Sequence, residues 1–431
     1  MTTPRIIEAD WTWIEGRFAA GIQLEVTTEG RIERCGALGL EADLRLAERA
    51  LLPGFVNAHS HAFQRGLRGR GERFPAGRGS FWTWREAMYD LVDKLDGDLL
   101  YKLCRSAFDE MRTAGITSVG EFHYLHHEDS AARDFAFDEV VLRAASDSGL
   151  RIVLLEAYYR TGGIGQPLAG GQLRFEVPDP ETYWAQVERL EAVVDAPRQT
   201  LGAVAHSIRA ADPGEVAELH AEARRRGMVF HMHLEEQRQE VEASRQAYGR
   251  SPVELLVDRL DPGKEFTAVH CTHTTSAQLT SWFERGAGVC ICPLTEANLA
   301  DGIADLENLG AGASLSLGTD SNARISMLEE MRWLEYAQRL AREERGVLTG
   351  NEGQCAARLL ASATEHGATA LGLQAGRIAP GLLADFVVLD LEAPSLAGWT
   401  PDTLAAALVF GAGDSVVAGT CVGGSWQWSA R

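Results

Sequence analysis

The chain has 431 residues, of which 45% are hydrophobic and 24% charged, and its formal net charge is −20. This composition is that of a globular protein, and the acidity argues against nucleic acid or an anionic membrane as a partner. Seven scattered cysteines, no signal sequence and no apolar run of about 18 residues predict a cytoplasmic protein that does not cross a membrane.

The predicted elements change in kind along the chain. Residues 1–52 contain short alternating runs, such as 21–26, that predict small β-structure. From residue 55 an apolar strand, a loop and an amphipathic helix follow one another repeatedly, with helices predicted at 217–226 and 328–342. Short strands return in the last part of the chain, most clearly at 384–390. The eight strand candidates between the two ends are 55–61, 116–122, 151–157, 202–206, 229–234, 266–271, 288–292 and 314–320.

Eight alternations of strand and helix indicate an α/β fold, a (β/α)8 TIM-type barrel, over residues 53–375. Residues 1–52 and 376–431 are expected to form one small β-sandwich domain beside it. Because active sites of such barrels are built at the carboxyl ends of the strands, the residues at those ends are the candidates for chemistry.

Polar residues are concentrated at these strand ends. His59 and His61 alternate on the first strand and therefore face the same side, although a pair of exposed or hydrogen-bonded histidines would show the same pattern. Seven of the twelve histidines fall at strand ends. The polar residues at or just beyond these ends are His59, His61, Gln64, Glu121, His123, Tyr124, His206, Arg209, His231, His233, Glu236, His270 and Asp320.

Three imidazoles and one carboxylate in this set predict a metal centre. His59, His61, His233 and Asp320 suit one divalent metal, with Zn²⁺ the first choice and Fe²⁺ the alternative. Such a site leaves a position for water, whose pKa the metal lowers from about 16 to about 7. The second metal of related barrels commonly needs a carbamylated lysine. None of the three lysines follows a strand, so a mononuclear site is expected.

Proton transfer has its own candidates. Asp320 is placed to take a proton from the water, and His270 to orient the nucleophile and stabilise the tetrahedral intermediate. Glu236 is the candidate proton shuttle to the leaving nitrogen, with the neighbouring Glu235 as the alternative. His231 is interpreted as a packing residue or as a support for the metal ligands. The remaining histidines are predicted to be surface, loop or helix residues: His126, His127, His220, His273 and His366.

Two arginines give a clue to the substrate. Arg209 follows the fourth strand, Arg85 lies in the aromatic segment 81–85, and Tyr124 follows the second strand. Arginines at the mouth of a barrel in an acidic protein suit carboxylates, which they bind through two hydrogen bonds. A surface ion pair is the alternative for each arginine.

This pattern resembles the amidohydrolase superfamily, in its deaminase branch, over nearly the whole chain. Within that branch the chain is most similar to the formimidoylglutamate deiminase (N-formimino-L-glutamate iminohydrolase) family. The segments that carry the resemblance are 59–65, 81–85, 121–124, 206–210 and 295–299.

The resemblance implies a metal held by the four residues given above, with proton transfer by Glu236 and His270. It also implies that Gln64, Arg85, Tyr124, His206 and Arg209 bind a small dicarboxylate substrate. The reaction would be hydrolysis of N-formimino-L-glutamate to N-formyl-L-glutamate and ammonia in histidine degradation, by a homodimer. One departure is Glu235, where the family is expected to have a small residue.

Two other functions stay open from the sequence. The chain could be a deaminase of a guanine-like or other heterocyclic amidine within the same superfamily. From a different class, it could be a metal-binding scaffold that has lost catalysis and works through protein contacts. The complete set of ligands and proton carriers argues against the scaffold, and two cations are not what a nucleobase requires.

Overall fold

The computed structural model describes residues 5–429 except 73, 75, 76, 308, 311, 351 and 352. Within these residues no helix combines the length and the apolar character needed to span a bilayer.

Eight parallel strands form the barrel, in the same order in space as along the chain. Most of their residues are fully buried because helices cover the outside and side chains fill the inside. All eight predicted strands are therefore confirmed. The barrel strands are β6 (Phe55–Ser60), β7 (Ile116–His123), β8 (Arg151–Tyr158), β9 (Gln199–Ala205), β10 (Phe230–Leu234), β11 (Phe266–His270), β12 (Gly288–Ile291) and β13 (Leu315–Leu317).

The first and the last strand approach each other at their carboxyl ends. The backbone N–H of His61 donates to the carbonyl of Asp320 at 2.9 Å, and the N–H of Asp320 donates to the carbonyl of His59 at 3.0 Å. A side chain at Gly318 would lie 2.7 Å from the Cβ of His59, so only glycine permits this approach. The contact that nearly closes the barrel is made by predicted metal ligands.

Thirteen α-helices are found in the described residues, and both predicted helices are confirmed. α5 shows why the chain becomes helical: Asp212 caps it, Pro213 opens it, and Gly227 ends it with φ of 70°. The helices are α1 (Phe81–Val92), α2 (Gly97–Thr113), α3 (Ala136–Ser148), α4 (Pro180–Glu191), α5 (Pro213–Arg226), α6 (Arg238–Tyr248), α7 (Pro252–Arg259), α8 (Ser276–Glu284), α9 (Pro293–Leu299), α10 (Met327–Arg342), α11 (Cys355–Ser362), α12 (Glu365–Ala370) and α13 (Leu404–Gly411). Short 3₁₀ helices lie at Ala62–Leu67, Gly170–Phe175, Pro394–Leu396 and Asp414–Val416.

Both ends of the chain contribute to one mixed sheet beside the barrel, which confirms the predicted fold class. Its order is β16-β15-β14-β5-β1-β3-β4, with β2 paired to β1. The division of the chain at residues 53 and 376 stays a prediction. The strands are β1 (Ile6–Ile14), β2 (Arg17–Ala19), β3 (Gln23–Val26), β4 (Ile32–Gly36), β5 (Leu44–Pro53), β14 (Phe386–Asp390), β15 (Val417–Val422) and β16 (Ser425–Trp428).

A buried ion pair joins this sheet to the barrel. Arg151, the first residue of β8, donates from Nε and Nη2 to the two oxygens of Asp385, at 2.8 and 3.0 Å. The N–H of Gly423 donates to the same carboxylate at 2.7 Å. Both charged side chains are almost completely buried, so each depends on the other for its stabilisation.

Three of the histidines that were given no role in the site are buried rather than exposed. His126 and His127 lie in the loop after β7 and His220 lies on α5, yet all three are buried. His126 bonds the carbonyl of Ala157 at 2.8 Å and the carboxylate of Asp138 at 3.1 Å. The backbone N–H groups of both loop histidines also donate to the carbonyl of Arg174 at 3.1 Å, so hydrogen bonds to three other segments enclose this loop.

Candidate active site and metal centre

The carboxyl ends of the barrel strands surround one cleft. Every residue predicted to bind the metal, transfer protons or bind the substrate lines this cleft except His59, which lies fully buried behind it. The other residues named at the strand ends do not line it: Glu121, His123, His231 and Glu235. The predicted residues are therefore brought together, from six of the eight strands and from α1. Seven further lining residues were not predicted: Phe81, Trp84, Met88, Tyr89, Tyr159, Phe175 and Leu299.

Four predicted donor residues converge at the floor of the cleft. The Nε2 atoms of His59 and His233 are 3.2 Å apart. Oδ1 of Asp320 lies 3.4 Å from Nε2 of His61 and 3.6 Å from Nε2 of His59. Such separations are those of atoms that share one small cation at about 2 Å each.

The hydrogen bonds behind the imidazoles fit a metal. Nδ1 of His61 donates to the carbonyl of Phe122 at 2.7 Å, and Nδ1 of His233 donates to that of His206 at 3.1 Å. Each Nε2 therefore presents its lone pair to the centre. Burial lowers the pKa of His61 to about 3, so the ring is neutral, as a metal ligand requires.

A polar network that the sequence did not reveal fixes Asp320. The amide of Asn57 accepts from the N–H of Thr319 at 2.9 Å and donates to its hydroxyl at 2.7 Å. The hydroxyl of Thr319 donates to Asn322, whose amide donates to the carbonyl of Asp320 at 3.0 Å. These residues are buried, and their spacing in the sequence gives no signal because the contacts join the first and last strands.

At the ends of several barrel strands the backbone adopts the uncommon left-handed conformation. Among the described residues, five non-glycine residues at strand ends of the cleft have positive φ: Glu235, His270, Cys271, Asp320 and Asn322. The values for His270 and Asp320 are 77° and 44°. Side chains rarely adopt this region, and the surrounding contacts must hold it.

Glu296 supports His270. Its Oε1 lies 3.2 Å from Nδ1 of His270 and also accepts from the N–H of Cys292 at 2.9 Å. Nε2 of His270 lies 3.8 Å from Oδ2 of Asp320. Burial opposes protonation, but Glu296, Glu236 and Asp320 together raise the pKa of His270 to about 10, and a cation in the site would oppose this rise.

The two adjacent glutamates point in different directions. Glu236 lines the cleft. Glu235, with φ of 51°, instead accepts from the N–H of Val253 at 3.0 Å and from the hydroxyl of Thr274 at 2.7 Å. Glu235 therefore bonds the surrounding loops, and only Glu236 can reach a molecule in the cleft.

Cationic and hydroxyl groups also line the cleft. Nε of Arg85 donates to the hydroxyl of Tyr89 at 2.7 Å. The hydroxyl of Tyr124 accepts from Gln64 at 2.8 Å. Arg209 lines the same cleft and donates from Nη2 to Oε2 of Glu236 at 2.9 Å. Two guanidinium groups thus face one small space, an arrangement suited to an anionic ligand.

Of His206 and His231, only His206 lines the cleft. His206 lies in the cleft, and its ring packs against those of Tyr124 and Tyr159 with centroids 5.2 and 4.6 Å apart. Burial, together with the nearby Arg209, lowers its pKa well below the usual value, so the ring is neutral. His231 bonds the carbonyl of Ala370 at 2.7 Å, outside the cleft, as its interpretation as a packing residue requires.

Barrel, small β domain and metal-ligand pattern together define a metal-dependent hydrolase. The chain belongs to the amidohydrolase family, whose model matches residues 50–426. Members of that family use one or two metal ions, and the predicted resemblance is confirmed. The chain is a hydrolase acting on carbon–nitrogen bonds, with deaminases among its relatives.

Two of the similar proteins are deaminases that act on different substrates. The chain is 36% identical over 419 residues to formimidoylglutamate deiminase of Pseudomonas aeruginosa, covering 95% of this chain and 91% of that one. It is 30% identical over 381 residues to a 5-methylthioadenosine/S-adenosylhomocysteine deaminase of Natronomonas pharaonis, covering 87% and 80%.

Solved structures agree on the fold. An amidohydrolase from Brucella melitensis superposes with a TM-score of 0.87 at 31% identity, covering 98% of this chain and 94% of that one. A zinc-bound adenosine deaminase from Xanthomonas campestris has a TM-score of 0.80 at 23% identity, covering 98% and 92%, and shows the shared fold alone.

Proposed function

We propose that this enzyme hydrolyses the formimino group of N-formimino-L-glutamate, giving N-formyl-L-glutamate and ammonia. The observation that carries the proposal is that Arg85, Arg209 and Tyr124 line the same cleft as the metal-donor residues. A substrate with two carboxylates and one amidine needs cations for the carboxylates and hydrolytic groups for the amidine within the same cleft. The similarity to a formimidoylglutamate deiminase supports the same choice.

The chemistry adds water across the C=N bond of the amidine and then breaks the bond to the terminal nitrogen. A divalent metal held by His59, His61, His233 and Asp320 would supply the Lewis acidity that makes water a nucleophile near neutral pH. Zn²⁺ is the metal that we propose, with Fe²⁺ the alternative.

The side chains of the cleft carry the protons. Asp320 accepts the proton of the attacking water. His270, held through Nδ1 by Glu296, hydrogen-bonds the tetrahedral intermediate and stabilises it. Glu236 transfers a proton to the leaving nitrogen, which departs as ammonia. The substrate hydrogens and the two protons of water are all accounted for in the formyl product and ammonia.

Arg209, which lies beside Glu236, binds one substrate carboxylate, and Arg85 with Tyr124 binds the second. Gln64 and His206, which line the same cleft, contact the formimino group. A formimino compound with a single carboxylate, such as formiminoglycine, therefore lacks one of these ion pairs and should be a much poorer substrate.

The decisive experiment measures ammonia release by the metal-loaded enzyme from formiminoglutamate, formiminoglycine, guanine and 5-methylthioadenosine. 5-Methylthioadenosine is included because a deaminase of that nucleoside is also similar to the chain. Guanine tests the alternative of a deaminase acting on a heterocyclic amidine. The expected result is the highest kcat/KM with formiminoglutamate. Equal values for formiminoglutamate and formiminoglycine, or faster release from a purine, would refute the proposal. No turnover of any compound would favour the noncatalytic scaffold.

A further inference from the structure

Arg209 has an ionic partner before any substrate arrives. Its guanidinium is mostly buried and donates from Nη2 to Oε2 of Glu236 at 2.9 Å. The expected carboxylate ligand and the expected proton carrier are thus hydrogen-bonded to each other. While this bond exists, one oxygen of Glu236 is occupied by a donor that is not the substrate.

A second carboxylate lies on the other side of the same guanidinium. Oε2 of Glu240 is 3.9 Å from Nε of Arg209, too far for a hydrogen bond but close enough for ionic attraction. Neither oxygen of Glu240 nor Nε of Arg209 has a hydrogen-bond partner among the described residues, and Glu240 is fully buried. The guanidinium therefore has an unsatisfied donor 3.9 Å from a buried, unsatisfied acceptor.

This arrangement leaves Arg209 room to exchange partners. If the guanidinium moves toward Glu240, Nε gains a hydrogen bond and Nη2 leaves Glu236. An incoming carboxylate compensates for the loss, because it takes two N–H groups of the guanidinium at once. The ring of Phe81, 5.8 Å from Cζ of Arg209, lies along one face of this group and keeps water from it.

We propose, on the basis of the function proposed above, that Arg209 couples recognition of the substrate carboxylate to release of the proton carrier. In the free enzyme Arg209 holds Glu236. A substrate carboxylate takes over the guanidinium, Glu240 retains its inner side, and Glu236 becomes free to transfer a proton. An amidine without that carboxylate binds without releasing Glu236, so it loses turnover as well as affinity.

The coupling predicts effects of opposite sign in one variant. Arg209→Met removes the ligand for the carboxylate and also frees Glu236. Its kcat/KM for formiminoglutamate should fall about 10- to 100-fold, whereas its kcat for formamidine, which has no carboxylate, should rise about 3- to 10-fold. Arg85→Met is the matched control, because Arg85 bonds Tyr89 and not Glu236. It should reduce turnover of formiminoglutamate and give no gain with formamidine.

Crystal structures of the metal-loaded enzyme provide a measurement that does not depend on turnover. With glutarate, which has two carboxylates and no amidine, the distance from Nη2 of Arg209 to Oε2 of Glu236 should increase beyond 3.5 Å, and Nε should approach Glu240. A bond to Glu236 that persists in the glutarate complex would overturn the coupling. If Arg209→Met lowers turnover of formamidine as well as that of formiminoglutamate, the coupling is also overturned. If the wild type releases no ammonia from formiminoglutamate, the proposed function fails, and the formamidine and glutarate measurements still decide the role of Arg209.

Discussion

Exchange of the two adjacent glutamates for glutamine should separate catalysis from stability. Glu236 lines the cleft, and Glu236→Gln keeps its shape and its ability to accept from Arg209 but removes its proton transfer. We expect kcat to fall roughly 100-fold or more, with the metal retained. Glu235 accepts from Val253 and Thr274, and an amide has only one acceptor for these two donors. Glu235→Gln should therefore cost about 1–3 kcal/mol of stability through one lost or reversed hydrogen bond.

Three measurements on both variants test this reasoning: kcat for formiminoglutamate, metal content and the thermal midpoint. Glu236→Gln should lose activity while its midpoint stays close to that of the wild type. Glu235→Gln should keep most of its kcat while its midpoint falls by about 1–3 °C, as a loss of about 1–3 kcal/mol implies for a chain of this length. A large loss of kcat in Glu235→Gln at unchanged stability, with Glu236→Gln still active, would refute the assignment of the two side chains.

Three further predictions concern the metal, the pH dependence and the ion pair beneath the barrel. Elemental analysis should find about one transition metal per chain, most of it lost in His61→Ala, and two metals in the wild type would contradict the mononuclear site. Burial raises the pKa of Glu121 from 4.5 to about 8, so the folded state keeps a proton that the unfolded state loses. The stability that this proton contributes is complete below pH 4.5 and disappears as the pH rises to about 8. Glu121→Gln should therefore flatten the dependence of the melting temperature on pH in this range. An unchanged slope would count against a raised pKa of Glu121. Asp385→Ala leaves Arg151 buried without its partner and should cost about 3–5 kcal/mol in denaturant unfolding, whereas a cost below 1 kcal/mol would show that water reaches the arginine.

Much of the site could be predicted because strand periodicity determines where side chains point. His59 lies near the carboxyl end of β6, His61 follows that strand directly, and His233 lies near the carboxyl end of β10. Parallel strands then bring their carboxyl ends to one edge, so residues far apart in sequence meet. The same reasoning located Asp320 after β13, although that strand has only three residues in the structure.

The periodicity gives no information once a strand has ended. Glu235 and Glu236 follow β10, and the positive φ of Glu235 decides which of them faces the cleft. Likewise, the bond between Arg209 and Glu236 joins two loops, and no local pattern indicates it. His126 and His127 were predicted to be surface, loop or helix residues and do lie in a loop, but their burial by contacts of that loop was not predictable. Contacts between loops depend on tertiary structure, which a single sequence read locally does not contain.

The left-handed residues at the strand ends restrict how this enzyme can be made more heat-resistant. Glycine adopts positive φ at little cost, so replacing Cys271 or Asn322 with glycine would relax the backbone. However, Asn322 holds the carbonyl of Asp320, and Cys271 follows directly on His270. Relaxation at either position would loosen a group that must stay within a few tenths of an ångström of its place. Directed evolution for thermostability should therefore accumulate substitutions in the helices and the terminal sheet, and leave these strained turns unchanged.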